Sequence, residues 1–206
     1  MSRAPAHRRE LLLGGAAVLA SASAPRSAIA QSPAAAEYAI FTEFSPTTKL
    51  MAPGWNRRVF TDTDSRKGTG IQCDFATGIV TLAPGAYRLS GFSMVTYSAG
   101  SEPETTTIRA PASAGYCRLR VHNPSAAVDD GNLRAIANGD PSVICLGNPS
   151  TPNLSPSLFD AYYETGSPRQ ILLEHQSGTK PQQIYLRMFV ENSKWHAVAR
   201  INIQRL

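Results

Sequence analysis

From Tyr38 onward, short runs of apolar, β-branched and aromatic residues alternate with polar residues and are separated by Gly, Pro, Asn and Asp. Such runs predict β-strands with one buried face, because successive side chains of a strand point to opposite faces. No window of about 11 residues keeps a 3.6-residue period, so the pattern does not predict amphipathic helices. We therefore expect an all-β protein.

The pattern predicts about ten strands, and turn residues at 74–78, 83–85 and 192–194 predict hairpin-like connections. The predicted strands are Ala39–Phe44, Arg58–Thr61, Ile71–Asp74, Gly78–Leu82, Gly85–Tyr97, Tyr116–His122, Val143–Leu146, Gln170–Gln176, Ile184–Glu191 and Trp195–Arg205. The segment Leu158–Tyr163 fits either a strand or a single helical turn. Antiparallel strands of this number and length favour a two-sheet β-sandwich with a jelly-roll fold.

A loop-rich region extends from Ser98 to Pro156, where Pro, Ser, Ala, Gly, Asn and Asp dominate. Only Tyr116–His122, Leu133–Ala137 and Val143–Leu146 interrupt it. Long loops in a compact domain are often functional, although they can also cap the open end of a sandwich. No internal repeat is present, so residues 38–206 are predicted to form one domain.

The first 30 residues are typical of an export signal. Arg8-Arg9-Glu10-Leu11-Leu12 is followed by an apolar run to Ala24, by Pro25 and Arg26, and by the small-residue tripeptide Ala28-Ile29-Ala30. This arrangement resembles a twin-arginine signal, with His7 in place of the usual Ser or Thr and Leu11 in place of Phe. We expect cleavage after Ala30, a flexible linker at 31–37, and a periplasmic or secreted mature protein.

The net charge gives little evidence for a charged partner once residues 1–30 are excluded. The chain has 20 basic and 15 acidic residues, and residues 1–30 contain four of the former and one of the latter. The mature chain is therefore nearly neutral, which argues against a nucleic-acid partner. No apolar stretch of about 18 residues is present, so we expect no integral membrane association.

A family resemblance is carried by Thr77-Gly78-Ile79-Val80-Thr81-Leu82-Ala83-Pro84-Gly85-Ala86-Tyr87-Arg88-Leu89-Ser90-Gly91-Phe92. This segment resembles the strand-turn-strand of the tumour necrosis factor superfamily and, more closely, of the globular heads of the first complement component. Leu89 and Ile79 stand where the family favours Phe. The alternating segment Trp195–Ile203 is similar to the family's buried last strand.

The resemblance implies a jelly roll of about ten strands with a central last strand. It further implies a homotrimer assembled on the face around Tyr87, Leu89 and the last strand. Its third implication is recognition rather than catalysis.

Candidate catalytic chemistry is sparse. Glu174 and His175 lie near the end of one predicted strand and His196 near the start of another, so antiparallel pairing could bring them together around a metal ion. The alternative is that the histidines, including His122, lie separately on the surface or cap turns. Neither a cupin His-x-His motif nor a Gly-x-Ser-x-Gly motif is present. Catalytic residues stay unassigned, and no cofactor is predicted.

Two acidic segments are most simply explained as turns. Asp62-Thr63-Asp64 resembles the start of a calcium loop, but Arg66 and Lys67 follow it, and the later Gly and Glu that such a loop needs are missing. We therefore interpret it as a solvated turn. Asp129-Asp130-Gly131-Asn132 is interpreted in the same way.

Three cysteines, Cys73, Cys117 and Cys145, lie in the mature chain, where an oxidising compartment permits a disulfide. Cys117 lies in an alternating segment and Cys145 in a short apolar run, with a loop between them. This makes Cys117–Cys145 the preferred pair, with Cys73 left over. The alternative is that all three are buried thiols.

Aromatic residues near loops, namely Trp55, Tyr162, Tyr163 and Trp195, could stack on a carbohydrate or anchor a protein ligand, or could simply pack in the core. Together these observations favour an exported, non-enzymatic recognition or structural module that assembles with itself. Its loops between Ser98 and Pro156 would contact the partner. The alternative is a metal-dependent periplasmic enzyme using Glu174, His175 and His196.

Overall fold

The computed structural model describes residues 36–45, 47–97, 115–123, 140–152, 155–176, 184–187 and 196–206. These ranges contain fourteen β-strands and no α-helix. The strands are β1 (Tyr38–Phe44), β2 (Lys49–Leu50), β3 (Asn56–Arg57), β4 (Asp62–Lys67), β5 (Ile71–Asp74), β6 (Ile79–Leu82), β7 (Gly85–Ser93), β8 (Thr96–Tyr97), β9 (Tyr116–Val121), β10 (Val143–Leu146), β11 (Ser157–Thr165), β12 (Arg169–Gln176), β13 (Ile184–Arg187) and β14 (Ala197–Arg205). Within these ranges, no helix of membrane-spanning length and apolarity is found.

The strands form two large antiparallel sheets and one small sheet. The five-stranded sheet has the order β11-β7-β14-β1-β4. The six-stranded sheet has the order β10-β9-β12-β6-β5, and β3 also pairs with β12. A three-stranded sheet has the order β2-β13-β8. Because the chain passes between the large sheets after β3, β4, β6, β10 and β11, the fold is the antiparallel jelly roll that the sequence predicts.

The last strand is central, as predicted. β14 pairs with β1 on one side and with β7 on the other. Its alternating residues Ala199, Ile201 and Ile203 face the core and are fully buried. A strand with neighbours on both sides satisfies both rows of its backbone hydrogen-bonding groups, so it cannot act as an edge.

The main core lies between the two large sheets. Its members come from alternate positions of the strands of both sheets, which is the packing expected of a sandwich. They include Phe41, Phe60, Val80, Leu82, Tyr87, Leu89, Leu119, Ile171, Leu173, Ile201 and Ile203. A second cluster, Met51, Val95, Ile184 and Leu186, lies against the three-stranded sheet.

The predicted strand Arg58–Thr61 is wrong, because this segment crosses from one large sheet to the other. The amide of Arg58 donates to the carbonyl of Leu173 in the six-stranded sheet, and the amide of Thr61 donates to the carbonyl of Thr42 in the five-stranded sheet. Phe60 is buried between the sheets. An apolar crossing segment thus has the same residue pattern as a short strand.

The predicted turn at Asp62–Asp64 is also wrong, because these residues begin β4. Asp64 accepts a hydrogen bond from the Thr42 hydroxyl and forms an ion pair with Arg200, at 2.8 Å between Arg200 Nη2 and Asp64 Oδ2. The carboxylate therefore belongs to the outer face of the five-stranded sheet. The positive charge of Arg200 neutralises the Asp64 carboxylate on that face.

Two further strand predictions need adjustment. Leu158–Tyr163 belongs to a strand, β11, and not to a helical turn. The predicted strand Gly85–Tyr97 is interrupted after Ser93, and Thr96–Tyr97 forms β8 in the three-stranded sheet instead. Several predicted features lie outside the described residues: the leader with Arg8, Arg9, Ala28 and Ala30, the segments 98–114 and 124–139, the turn 192–194, and Trp195.

Candidate functional site

Glu174, His175 and His196 do not converge on one point, contrary to the metal-site hypothesis. Glu174 and His175 are consecutive on β12, so their side chains point to opposite faces of the sheet. His175 is 0% exposed between the sheets, whereas His196 is exposed just before β14. Among the residues that the structure describes, no group of three or more His, Cys, Asp or Glu side chains could hold a metal ion.

His175 instead belongs to a buried polar network. Its Nδ1 lies 2.8 Å from Ser93 Oγ on β7, and its Nε2 lies 3.4 Å from Ser150 Oγ. Ser93 Oγ also accepts a hydrogen bond of 2.8 Å from Arg58 Nε. Because Arg58 can only donate, the Ser93 proton is free to go to His175 Nδ1. In that arrangement the imidazole proton lies on Nε2, which faces Ser150.

Arg58 is the centre of this network, and its side chain is 0% exposed. Besides Ser93, its guanidinium donates to the carbonyls of Met94 and Leu186. It also forms an ion pair with Glu43 on β1, at 3.5 Å between Nη1 and Oε2. The other Glu43 oxygen lies 3.6 Å from Arg187 Nη1.

These contacts connect all three sheets through one side chain. Arg58 directly follows β3, which pairs with the six-stranded sheet. Ser93 and Glu43 lie in the five-stranded sheet, and Leu186 lies in the three-stranded sheet. A buried guanidinium is tolerated only when its donors are satisfied, so these acceptors must be held in place together.

The electrostatics of the network follow from burial. Burial lowers the pKa of Arg58 and raises the pKa of Glu43, and the attraction between the two charges opposes both shifts. Burial, and then the charge of Arg58, lower the pKa of His175 well below its usual value. The imidazole is therefore neutral near pH 7. Ser93 and His175 resemble two members of a hydrolase triad. Both are fully buried, however, so a substrate cannot reach them.

Glu174 has a structural role on the outer face of the six-stranded sheet. Its Oε2 accepts hydrogen bonds from Arg118 Nε and Arg120 Nε, each at 2.8 Å, and its Oε1 accepts one from Arg120 Nη2 at 3.1 Å. The guanidinium carbon of Arg118 lies 4.1 Å from the centre of the Trp55 ring. Trp55 thus packs on a cation of its own chain.

The cysteines are free thiols in the structure, so the predicted Cys117–Cys145 bridge is not formed there. Cys117 is buried, and its thiol lies 3.5 Å from the Ser157 carbonyl. Burial raises the pKa of Cys145 to about 11 and that of Cys73 to about 12. Both groups are therefore protonated and poorly nucleophilic at neutral pH. The pairing stays a prediction.

The predicted assembly residues Tyr87 and Leu89 are 0% exposed and belong to the core of the single chain. Their prediction as surface contacts is wrong, because the odd-numbered positions of this part of β7 point inward. The even-numbered positions point outward. The strand register arranges the outward side chains of the five-stranded sheet in three rows: Leu158, Phe92 and Arg200; Asp160, Ser90, Asn202 and Ile40; and Tyr162, Arg88, Gln204 and Tyr38.

We call these eleven residues the outer face. Tyr162 is 72% exposed and Leu158 is 54% exposed, and both lie on the edge strand β11. Arg88 donates two hydrogen bonds to Asp160, at 3.2 and 2.8 Å. A recess of about 490 Å³ lies nearer the centre of the sheet, lined by Tyr38, Ile40, Arg88, Ser90, Asn202 and Gln204, with Ala36, Ala39 and Ile203. The outer face therefore combines protruding apolar side chains at its edge with a recess at its centre.

Sequence analysis missed Arg58, Glu43 and Ser93 as structural residues. The available signal was Glu43 itself, an acidic residue inside the apolar strand Tyr38–Phe44. A charge at such a position requires a buried partner. The partner could not be identified, because the alternation along the chain carries no information on which distant residue lies opposite.

Comparisons with known proteins give only distant structural likeness. No family model matches the sequence, and no curated protein matches it. A crystal structure of murine APRIL at pH 5.0 is similar, with a TM-score of 0.48 and 8% identity, over 83% of this chain and 99% of that chain. The PRD1 vertex protein P5 gives a TM-score of 0.42 and 11% identity, over 83% of this chain and 96% of that chain. At these TM-scores the likeness carries no functional argument, and the fold assignment rests on the strand order.

The buried His175 predicts an acid-dependent loss of stability. Its pKa is lowered on folding, so below its usual pKa of 6.5 the unfolded chain binds a proton that the folded chain does not. The free energy of unfolding is therefore highest above about pH 6.5 and decreases as the pH falls below that value. His175→Gln does not titrate, so its unfolding free energy should fall less than that of the wild type between about pH 7 and 5, by about 1–2 kcal/mol.

Urea unfolding at each pH measures this difference. The exposed His196→Gln variant is the control and should follow the wild-type profile. Glu43 and His122 remain in every variant, so their titration cancels in the comparison. Parallel profiles for His175→Gln and the wild type would show that His175 does not carry the acid sensitivity.

Proposed function

We propose that this chain is an exported, non-enzymatic recognition or structural module that assembles as a homotrimer through the outer face, with its loops between Ser98 and Pro156 contacting a partner. The observation that carries this proposal is the exposure of Tyr162 and Leu158 on edge strand β11, with Phe92 beside Leu158 and Tyr38 across the same sheet face. Clustered exposed apolar and aromatic side chains are typical of interaction surfaces.

The charges on the outer face support contact with a second copy. Arg88 is paired with Asp160, and Arg200 is paired with Asp64 on the neighbouring strand β4. The outer face thus presents its formal charges already neutralised within the chain. Copies of this face can therefore meet without repulsion between like charges.

The arrangement of the outer face favours a ring. The protruding Leu158 and Tyr162 lie on edge strand β11, whereas the recess lies over β7, β14 and β1. The edge of one copy can therefore contact the recess of the next, and such contacts between different patches close into a ring when the rotation permits. The resemblance to tumour necrosis factor and complement heads favours three copies.

The interior supports a role without catalysis. The Ser93–His175 pair is buried, and Glu174 is bound by Arg118 and Arg120. Of these, Glu174 and His175 are the groups that sequence analysis considered for catalysis, together with His196. Glu174 and His175 each have a structural partner that explains their presence in the fold.

Assembly is tested with Tyr162→Lys. Sedimentation equilibrium of the mature protein should show a trimer for the wild type at about 10 μM and a monomer for Tyr162→Lys, because the lysine would bring an unpaired charge into the recess of the next copy. Gln72→Lys, on the exposed outer surface of β5 in the other sheet, is the matched control and should remain trimeric. A monomeric wild type, or a trimeric Tyr162→Lys, would contradict the proposed interface.

Export is supported by the Arg8-Arg9 pair and the Ala28-Ile29-Ala30 tripeptide. N-terminal sequencing of the periplasmic or secreted form should give Gln31 as the first residue. Replacing both Arg8 and Arg9 by Lys should leave uncleaved precursor inside the cell, whereas Arg3→Lys should not. Recovery of exported protein that still begins within residues 1–30 would refute cleavage after Ala30.

A further inference from the structure

A second recess lies on the outer surface of the six-stranded sheet. It has a volume of about 330 Å³ and is lined by Thr81, Val121, His122, Pro168, Arg169 and Gln170. Gln170 pairs with Thr81 across β12 and β6, and the His122 amide donates to the Gln170 carbonyl at 2.7 Å. The side chains of Thr81, Gln170 and His122 therefore form one row across three strands.

The lining has the composition of a small-molecule site. Thr81 offers a hydroxyl, Gln170 an amide, His122 an imidazole and Arg169 an exposed guanidinium, while Pro168 provides an apolar wall. Nδ1 of His122 is closed to solvent, and within the described ranges it has no hydrogen-bond partner. The Thr81 hydroxyl, the Gln170 amide and the Arg169 guanidinium can donate hydrogen bonds to a ligand oxygen in the recess.

The charge around the recess is positive. Burial lowers the pKa of His122 most, Arg57 and then Arg120 lower it further, and Glu174 opposes them. The charged residues near His122 are Arg57, Arg120 and Arg169 against Glu174, to which Arg120 is bound. The excess of guanidinium groups favours an anionic ligand over a neutral one.

We propose that this recess binds the carboxylate of an acidic sugar. The carboxylate lies against Arg169 and His122, and the sugar hydroxyls face Thr81 and Gln170. A volume near the lower limit of small-molecule pockets suits one sugar ring rather than a longer chain. The site is on the opposite sheet from the assembly surface, so it does not depend on the trimer.

Galacturonate is the probe, with galactose and inorganic phosphate as comparison ligands. In NMR titrations of the mature protein, galacturonate should shift the amide signals of Thr81, His122 and Gln170, with a dissociation constant of about 1 mM. Galactose lacks the charge and phosphate lacks the hydroxyls, so each should bind about tenfold more weakly. Saturation with galacturonate should raise the pKa of His122, because a bound carboxylate favours the imidazolium.

Arg169→Gln and His122→Gln should each weaken galacturonate binding about fivefold. Arg66→Gln, which removes an exposed arginine from β4 on the other sheet, is the matched control and should bind as the wild type does. All three variants can be compared by their amide spectra, which show whether the sheets remain folded.

The outcomes separate the alternatives. Absence of shifts at Thr81, His122 and Gln170, or unchanged affinity in Arg169→Gln, would overturn the site. Equal binding of phosphate and galacturonate would overturn the sugar assignment and leave a site for a bare anion. An equal loss in Arg66→Gln would show that only the overall charge attracts the ligand.

Discussion

The burial of the Arg58 guanidinium is the constraint on which the rest of the structure depends. Removing a cation from water costs several kcal/mol, and this cost is recovered only if its donors meet well-placed acceptors. Those acceptors are Ser93 on β7, Met94 just after it, Leu186 on β13 and Glu43 on β1. The two large sheets and the small sheet must therefore take one relative position to satisfy a single side chain.

The same constraint explains why the apparent catalytic residues are structural. The Ser93 hydroxyl accepts from Arg58 and also contacts His175 Nδ1, and His175 stays neutral because burial and Arg58 disfavour its charged form. The Ser–His pair thus completes a chain of hydrogen bonds inside the sandwich. The proposed interaction sites lie on the surfaces, where one sheet presents exposed aromatic and apolar side chains and the other a polar recess.

Period-two alternation was sufficient to predict most of the sandwich. It identified β7 and β14, because these strands have one buried, largely apolar face and one largely polar face. It failed at Arg58–Thr61, where the buried Phe60 gives a crossing segment the appearance of a strand. The same rule, applied strictly, would have excluded Glu174 and His175 from one metal site, since consecutive strand residues face opposite sides.

The positions of the charged partners could not be predicted. Asp64 pairs with Arg200, Glu174 pairs with Arg118, and Arg58 pairs with Glu43, and each pair joins strands distant in the chain. Such pairs are set by strand order and register, which local patterns do not encode. The orientation of β7 is a related case: the family resemblance identified the strand but placed Tyr87 and Leu89 on its wrong face.

Native-state hydrogen exchange on Arg58→Met tests most directly whether Arg58 joins the sheets. In the wild type, the Met51 amide, which donates to the Ile184 carbonyl of the small sheet, should exchange with the same opening free energy as the central amides of β14. In Arg58→Met, the opening free energy at Met51 should fall about 3 kcal/mol below that of β14, because the small sheet loses its connection to the sandwich. Equal values at Met51 and β14 in the variant would contradict this account.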